Sequence, residues 1–462
     1  MLSLGYIIYK QNFTTYLDFC IMATSNENAS EDYSGNSREC ESAPPDHGKG
    51  AWLFLVGCFW IEGLTWAFPF SYGVFEKYYS SHEPFASQSS GIAAVGTTTL
   101  GVIYFGAVIT IAVLQRWPYL RRQSSILGLC VLITSFITSS FAQRVVHLII
   151  TQGVLYGVGG ALLYSPFVFY LDEWFDKRKG LAYGFLWAGT GVGGTVVPLI
   201  LEWGLANYGF RTMLRSWALL LVVTLSPLIY VVKPRLPVAA KGVIRPLNLG
   251  FLGEPVFWIL QFGNMIQGLG VFIPSVYLPS YATSNGFSAV AATSIVSLMN
   301  CAQVVGTVIF GFLIDRFPMT TLMLLCSCGS ATSVLILWGL ATSHGYLWAF
   351  AFTYGLFTGG YTAMFTGCNR EVQKRAYHAE TGLLMGTWAA GRGIGSIVSG
   401  PVSERLLELK LWEGSSRFVY GTEYGILIVF IGITAIVGGL GVFVRFLRSP
   451  SSPPSEVTMI RD

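Results

Sequence analysis

Glycines recur at a fixed offset of 202 residues in two apolar stretches, and this repeat constrains the fold more than any other feature of the chain. Gly180, Gly184, Gly189, Gly191 and Gly193 map onto Gly382, Gly386, Gly391, Gly393 and Gly395 without a gap, while the following prolines, Pro198 and Pro401, slip by one. A basic loop precedes each stretch, with Lys177 and Arg178 before the first and Arg370, Lys374 and Arg375 before the second. Small residues four apart let helix backbones approach closely. Two such pairs on opposite faces lead us to expect that each helix packs against neighbours on both sides. A repeat spanning half of an apolar chain is the signature of a membrane transporter built from two halves.

Composition supports a membrane setting. Of the 462 residues, 53% are hydrophobic and only 11% are charged, with a mean hydropathy of +0.56; a soluble domain carries about 25% charged residues. We place spans near 51–75, 88–114, 124–142, 146–171, 180–203 and 212–232, then 255–281, 289–314, 319–341, 345–367, 380–402 and 422–447. The expected fold is an all-α polytopic membrane protein with twelve transmembrane helices in two pseudo-symmetric six-helix halves, 51–232 and 255–448. Residues 233–254 form a basic, proline-bearing linker. Residues 1–50 read as a disordered tail and 449–462 as a short polar one. Leu2–Tyr9 is apolar but too short to span and lacks a cleavage site, so no signal peptide is expected; Met22 would serve as well as Met1 as a start.

Basic residues orient the chain. With the N-terminus inside, inner loops and the C-terminal flank hold Lys or Arg at 116, 121, 122, 177, 178, 179, 233, 235, 241, 245, 316, 370, 374, 375, 445 and 448, sixteen in all. Outer loops hold seven, at 77, 144, 211, 215, 405, 410 and 417. Both termini are therefore expected in the cytosol, which keeps the sequons at Asn12 and Asn28 from glycosylation. The plasma membrane is the first expectation and an internal membrane the second.

Several chemistries find no support. The eight cysteines lack metal-type spacing, and Cys326 and Cys328 are separated by one residue, so they read as small buried hydrophobes. The five histidines are scattered without a paired motif. Gly189–Gly193 follows no strand, which argues against a nucleotide loop. No enzyme activity, cofactor, metal or nucleic-acid partner is expected.

Two charges fall deep inside spans, away from the span ends. Glu62 lies near the middle of the first and Arg392 near the middle of the eleventh. A charge at bilayer depth costs at least about 2.5–3.5 kcal/mol, so each needs a cavity or a partner. Glu62 shares a helical face with Thr65, Trp66 and Pro69. It reads either as a proton-carrying acid or as a carboxylate tied permanently to neighbouring helices. Arg392 lies about 280° round its helix from Gly382, between the two glycine faces. It is the candidate anchor for an anionic substrate, with helix tethering as the alternative. Its repeat equivalent is Thr190, so the fold does not demand the charge.

Polar stripes suggest further cavity walls: Asn300, Gln303 and Thr307 in span 8; Gln261, Asn264 and Gly268 in span 7; Tyr354, Thr358 and Tyr361 in span 10. Interhelical hydrogen bonding is the competing reading for each.

A second repeat joins the first. Gly311-Phe-Leu-Ile-Asp315-Arg316-Phe317-Pro318 follows span 8, and Ile111-Ala-Val-Leu-Gln115-Arg116-Trp117-Pro118 follows span 2, at an offset of 200. The later copy resembles the G-x-L-x-D-R-F loop of the major facilitator superfamily; the earlier copy has lost the glycine and the aspartate. The resemblance implies the major facilitator fold and a gating loop in which Asp315 and Arg316, with Lys177 and Arg178, close the cytoplasmic side in one conformation.

Three further stretches resemble the monocarboxylate-porter branch, particularly its fungal members. They are Asp46-His-Gly-Lys-Gly-Ala-Trp52, Gly63-Leu-Thr-Trp-Ala-Phe-Pro69-Phe70-Ser71-Tyr-Gly73-Val-Phe75, and Trp174-Phe-Asp-Lys177-Arg178-Lys179-Gly-Leu-Ala182-Tyr-Gly184. The resemblance covers roughly 44–448. It implies alternating-access transport of a small organic acid or related metabolite, with proton symport as an option. Two cations of the branch are missing: Phe70 stands where animal members place lysine, and Thr307 follows Gly306 where many relatives carry arginine.

These departures support an alternative, export of a larger aromatic secondary metabolite, for which Trp66, Phe70, Tyr277, Tyr361 and Trp388 offer apolar contacts. A reading of another class, a non-transporting membrane sensor, lacks the long cytosolic module it usually requires.

Overall fold

In the computed structural model, residues 45–236, 244–341, 343–410, 412, 414 and 418–447 are described, and every regular element among them is helical. Helix α1 runs Lys49–Phe70 and resumes as Tyr72–Ser81. Next come α2 (Ile92–Arg116), α3 (Arg121–Ser139) and α4, which joins Val145–Leu148, a π-wound turn Ile149–Leu155, and Tyr156–Trp174. One hydrogen-bonded run, Lys179–Val231, holds both α5 (179–208) and α6 (210–231).

The second half begins with α7, Pro255–Val271 resuming as Ile273–Ser284. It continues through α8 (Ala289–Ile314) and α9, Met319–Thr332 plus Ser333–Trp338. Helix α10 is His344–Ala363 plus Phe365–Gln373, α11 is Thr381–Glu408, and α12 is Gly425–Gly438 plus Gly439–Phe446.

The turn expected between spans 5 and 6 contracts to a single residue. Gly209, at φ 72° and ψ 167°, breaks the run between α5 and α6. This backbone geometry is open to glycine and costly for residues with a Cβ. Among the described residues, nine helical stretches are long and apolar enough to cross a membrane. The α5–α6 run counts once among them, and α10 and α11 fall short because glycine, serine, threonine and Arg392 dilute their hydropathy.

The repeated glycines pack as two equivalent sets. On α5, Gly180 and Gly184 face α8: a Cβ on Gly184 would lie 2.5 Å from the Thr307 carbonyl oxygen. Gly189 and Gly193 face α1, against the Phe59 and Gly63 carbonyls. On α11, Gly382 meets Phe169 of α4, and Gly386 and Gly393 meet α2 at Val108, Ile111 and Tyr104. Gly391 and Gly395 meet α7 at Gln261, Met265 and Gly268. Each repeated helix thus touches its own half on one face and the other half on the opposite face. At Gly184, Gly189 and Gly193 backbone meets backbone, whereas Gly382, Gly391 and Gly393 make room for the Phe169, Gln261 and Tyr104 side chains, and van der Waals packing holds the helices in register.

The loops carrying Arg116, Lys177, Arg316 and Lys374 share one end of the bundle, called here the basic face. Part of the linker is fixed there: the Arg235 N–H donates to Glu173 Oε2 (3.1 Å), and Trp174 Nε1 donates to the Lys233 carbonyl (2.9 Å). Residues 1–44, with both sequons, and 237–243, 417 and 448–462 lie outside the described residues, so the tail expectations and Lys241, Arg417 and Arg448 do too.

Candidate functional site

A cavity of about 300 Å³ lies between the halves, at the lower end of the usual size range for ligand sites. Helices α1, α2, α4 and α5 supply one side, and α7, α8, α10 and α11 the other. Eight of its 25 lining residues are aromatic: Trp66, Phe70, Tyr104, Tyr164, Tyr183, Trp187, Phe272 and Phe365. Ring pairs bridge the halves at two levels. Trp187 meets Phe365 with centroids 5.7 Å apart, on the side toward the basic face, because Trp187 lies eight residues from the start of α5. Phe70 meets Phe272, also at 5.7 Å, where α1 and α7 are both interrupted.

Of the candidates named from sequence, Glu62, Trp66, Phe70, Asn300, Gln303 and Arg392 come together on this wall. Glu62 is buried at 3% exposure. Its Oε1 accepts a long hydrogen bond from the Thr190 hydroxyl (3.5 Å), and its Oε2 has no protein partner. Trp66 Nε1 is likewise buried without a partner, while its ring lies 5.1 Å from that of Tyr104. Arg392 donates from Nη1 to Gln267 Oε1 at 3.1 Å and sits 5.8 Å from the Phe272 ring centroid. None of the ion pairs among the described residues includes Arg392 or Glu62.

Three candidates lie off the wall. Asn264 donates to the Trp388 carbonyl (2.8 Å), stitching α7 to α11. The Trp388 indole donates to Asn369 Oδ1 (2.7 Å) and packs on Phe257. The Tyr361 hydroxyl donates to the Gly438 carbonyl (3.1 Å). Each spends a donor on a helix–helix contact, the outcome periodicity alone could not separate from cavity lining, while Asn264 Oδ1 is buried without a protein partner. Tyr277 pairs with Ser403 (3.1 Å), also away from the wall. Of the three polar stripes, only that of α8 reaches the cavity.

At the basic face, the carboxylate of Asp315 accepts the N–H groups of Gly180 (2.9 Å) and Leu181 (3.0 Å), the first turn of α5. Its ion-pair partner is Arg370 at 3.7 Å, not Arg316, whose guanidinium covers the Phe312 ring at 4.1 Å. Lys177 and Arg178 participate through their backbones. Their N–H groups donate to Asp46 (2.9 and 3.0 Å), as does that of Asp176 (3.2 Å). Both carboxylates thus occupy the partial positive charge at the start of α5.

Sequence reasoning missed Gln267, Arg370, Tyr104, Tyr164, Tyr183, Trp187, Phe272 and Phe365. For Gln267 a signal existed: it precedes Gly268 as Glu62 precedes Gly63.

Among curated relatives, the chain is 26% identical to the "MFS-type transporter pynF" of Aspergillus niger over 80% of its length and 84% of that protein's. It is 27% identical to the "Fujikurins efflux protein" of Gibberella fujikuroi, over 70% of each chain. The solved structure of the proton:xylose symporter XylE superposes with a TM-score of 0.63 at 13% identity, covering 85% of this chain and 94% of that one. The model of the Major Facilitator Superfamily matches residues 55–400. With twelve helices in two glycine-packed halves around a shared cavity, this multi-pass membrane protein belongs to the Major Facilitator Superfamily.

Proposed function

We propose that the chain exports an aromatic secondary metabolite by alternating access. The carrying observation is the wall of the central cavity, where eight aromatic side chains surround a single cation, Arg392. The names of relatives described as efflux proteins support the same direction of transport. In this reading the aromatic rings take the body of the cargo by stacking and apolar burial. Arg392 meets its negative group, with Asn300 and Gln303 as polar contacts, and Glu62 carries the coupling proton. The basic face is cytosolic, as are both termini, and the plasma membrane is the site of action.

The gate in this proposal is the Asp315–α5 contact. Formed, it closes the cytosolic side; broken, it lets α5 and α8 part at Gly180, Gly184 and Gly311. The test is uptake into inside-out vesicles with an imposed proton gradient. Neutral aromatic compounds should compete with a labelled aromatic acid while pyruvate does not. Glu62→Gln should remove the response to the gradient; an unchanged gradient response rules out the coupling role.

A second reading, proton symport of a small monocarboxylate, draws on Arg392 and on the resemblance of the 63–75 and 174–184 stretches to the monocarboxylate-porter branch. Phe70 in the wall weighs against it. Saturable pyruvate uptake driven by the proton gradient would favour it over export.

A further inference from the structure

The repeat that relates the halves also relates two polar pairs at the cavity. Thr190 and Arg392 are equivalent at the offset of 202 (392 − 190). Their partners Glu62 and Gln267 are equivalent at 205 (267 − 62), and the glycine after each is packed on a repeated glycine. A Cβ on Gly193 would lie 2.5 Å from the Gly63 carbonyl oxygen, and one on Gly395 would lie 2.9 Å from the Gly268 carbonyl carbon. One half therefore pairs Glu62 with Thr190, and the other pairs Gln267 with Arg392. The architecture is shared and the charges are crossed: an acid with a neutral hydroxyl, a neutral amide with a cation.

A glutamate at 267, as at the equivalent position 62, would neutralise Arg392 inside the wall. The amide instead accepts one of the five N–H donors of the guanidinium and leaves its charge uncancelled. Gln267 is 4% exposed and stands behind the wall, with its Cβ and Cγ wedged against Gly438 of α12. Its carbonyl is thereby fixed, and with it the guanidinium that faces the cavity.

We infer that Gln267 is a specificity-determining positioning residue, which holds the Arg392 charge at the cavity wall without neutralising it and so reserves it for a carboxylate or enolate on the cargo. The inference rests on the export reading only in taking the body of that cargo to be aromatic. It concerns binding, so it is tested without transport.

The full chain in nanodiscs is titrated with 2-naphthoate and its neutral analogue 2-naphthamide, following quenching of tryptophan fluorescence, since Trp66 and Trp187 line the cavity. Gln267→Glu should weaken naphthoate binding by at least ~10-fold while naphthamide changes less than ~2-fold, because an internal carboxylate competes for the guanidinium. Gln267→Met, which adds no charge, should weaken naphthoate by a smaller factor, again sparing naphthamide, and guards against misfolding of the glutamate variant. Equal effects on both ligands, or none, overturn the inference. Naphthamide bound with no naphthoate bound overturns it while leaving the aromatic-cargo reading intact. Binding of neither ligand overturns both.

Discussion

Two carboxylates grip the turn that opens α5, one from within its own half and one from across the boundary between halves. Asp46 precedes α1 and accepts N–H groups from Asp176, Lys177 and Arg178, all in the first half. Asp315 closes α8 and accepts those of Gly180 and Leu181 from the second half. Burial pushes the pKa of Asp46 upward, but the three backbone donors and the Arg178 charge outweigh it and leave the group below its ordinary 3.8. For Asp315 burial wins over the Leu181 and Gly180 donors and the Arg370 charge, with the Asp46 charge adding to it, and the group lies above 3.8. Neighbouring contacts of one type therefore differ in sense. Protein surroundings stabilise the Asp46 carboxylate, whereas the Asp315 carboxylate is held at a net cost. The first suits a permanent clamp and the second a latch that must release.

The sharpest way to break this contrast is through the glycines beneath it. Gly189→Leu drives a side chain into the Phe59 carbonyl within one half. It should leave little folded protein after detergent extraction. Gly184→Leu makes the equivalent clash with Thr307 across the boundary. Folded protein should survive, with transport reduced by roughly 100-fold or more because the halves cannot close; ~3 kcal/mol against the closed state suffices. If both variants lose folded protein alike, the two interfaces are equally structural.

Replacing the carboxylates comes next. Asp46→Asn should destabilise the fold by about 1.5–3 kcal/mol, the range for hydrogen bonds to a charged group, read as a lower unfolding midpoint. Asp315→Asn should leave that midpoint nearly unchanged. It should instead shift the distances between spin labels at Lys177 and Lys374, which lie in different halves at the basic face, toward the closed form, because a neutral group carries no burial cost of an ionised carboxylate. A large fall in midpoint for Asp315→Asn, with no change in distance, would reverse the assignment.

A smaller effect is expected from pH. Because the latched Asp315 has the raised pKa, the latched state binds more protons than the open one between 3.8 and that raised value. Acidification into this window should shift the label distance toward the closed form in the native chain and not in Asp315→Asn. Asp46 has the opposite sign: its stabilisation is complete above pH 3.8 and is lost only as pH falls through its lowered pKa. The least effect belongs to Arg370→Gln. Arg370 is half exposed and 3.7 Å from Asp315, so its removal should cost under ~1 kcal/mol of closed-state preference.

The same contrast between local and cross-boundary contacts separates what was legible in the sequence from what was not. Glycine spacing pointed to two packed faces on each repeated helix, and both faces are occupied. The mismatch of Thr190 with Arg392 pointed to a specialised position, and Arg392 lines the cavity. Yet the pattern that singled out Asn300 and Gln303 singled out Asn264 and Tyr361 equally well, and these turn to backbone carbonyls of neighbouring helices. Arg316, adjacent to Asp315 in the motif, turns to Phe312, while Arg370, fifty-five residues away (370 − 315), supplies the ion pair.

By itself the amino-acid sequence determined the twelve-helix plan, the division into halves and the faces on which α5 and α11 are packed. These follow from hydropathy and from spacing along one helix, which are local quantities. Only the tertiary structure decided which polar side chains meet the cavity and which are consumed between helices, and that Gln267 stands behind Arg392. Those outcomes depend on which helix lies opposite at a given depth, a relation between segments some 130 residues apart that no helical period encodes.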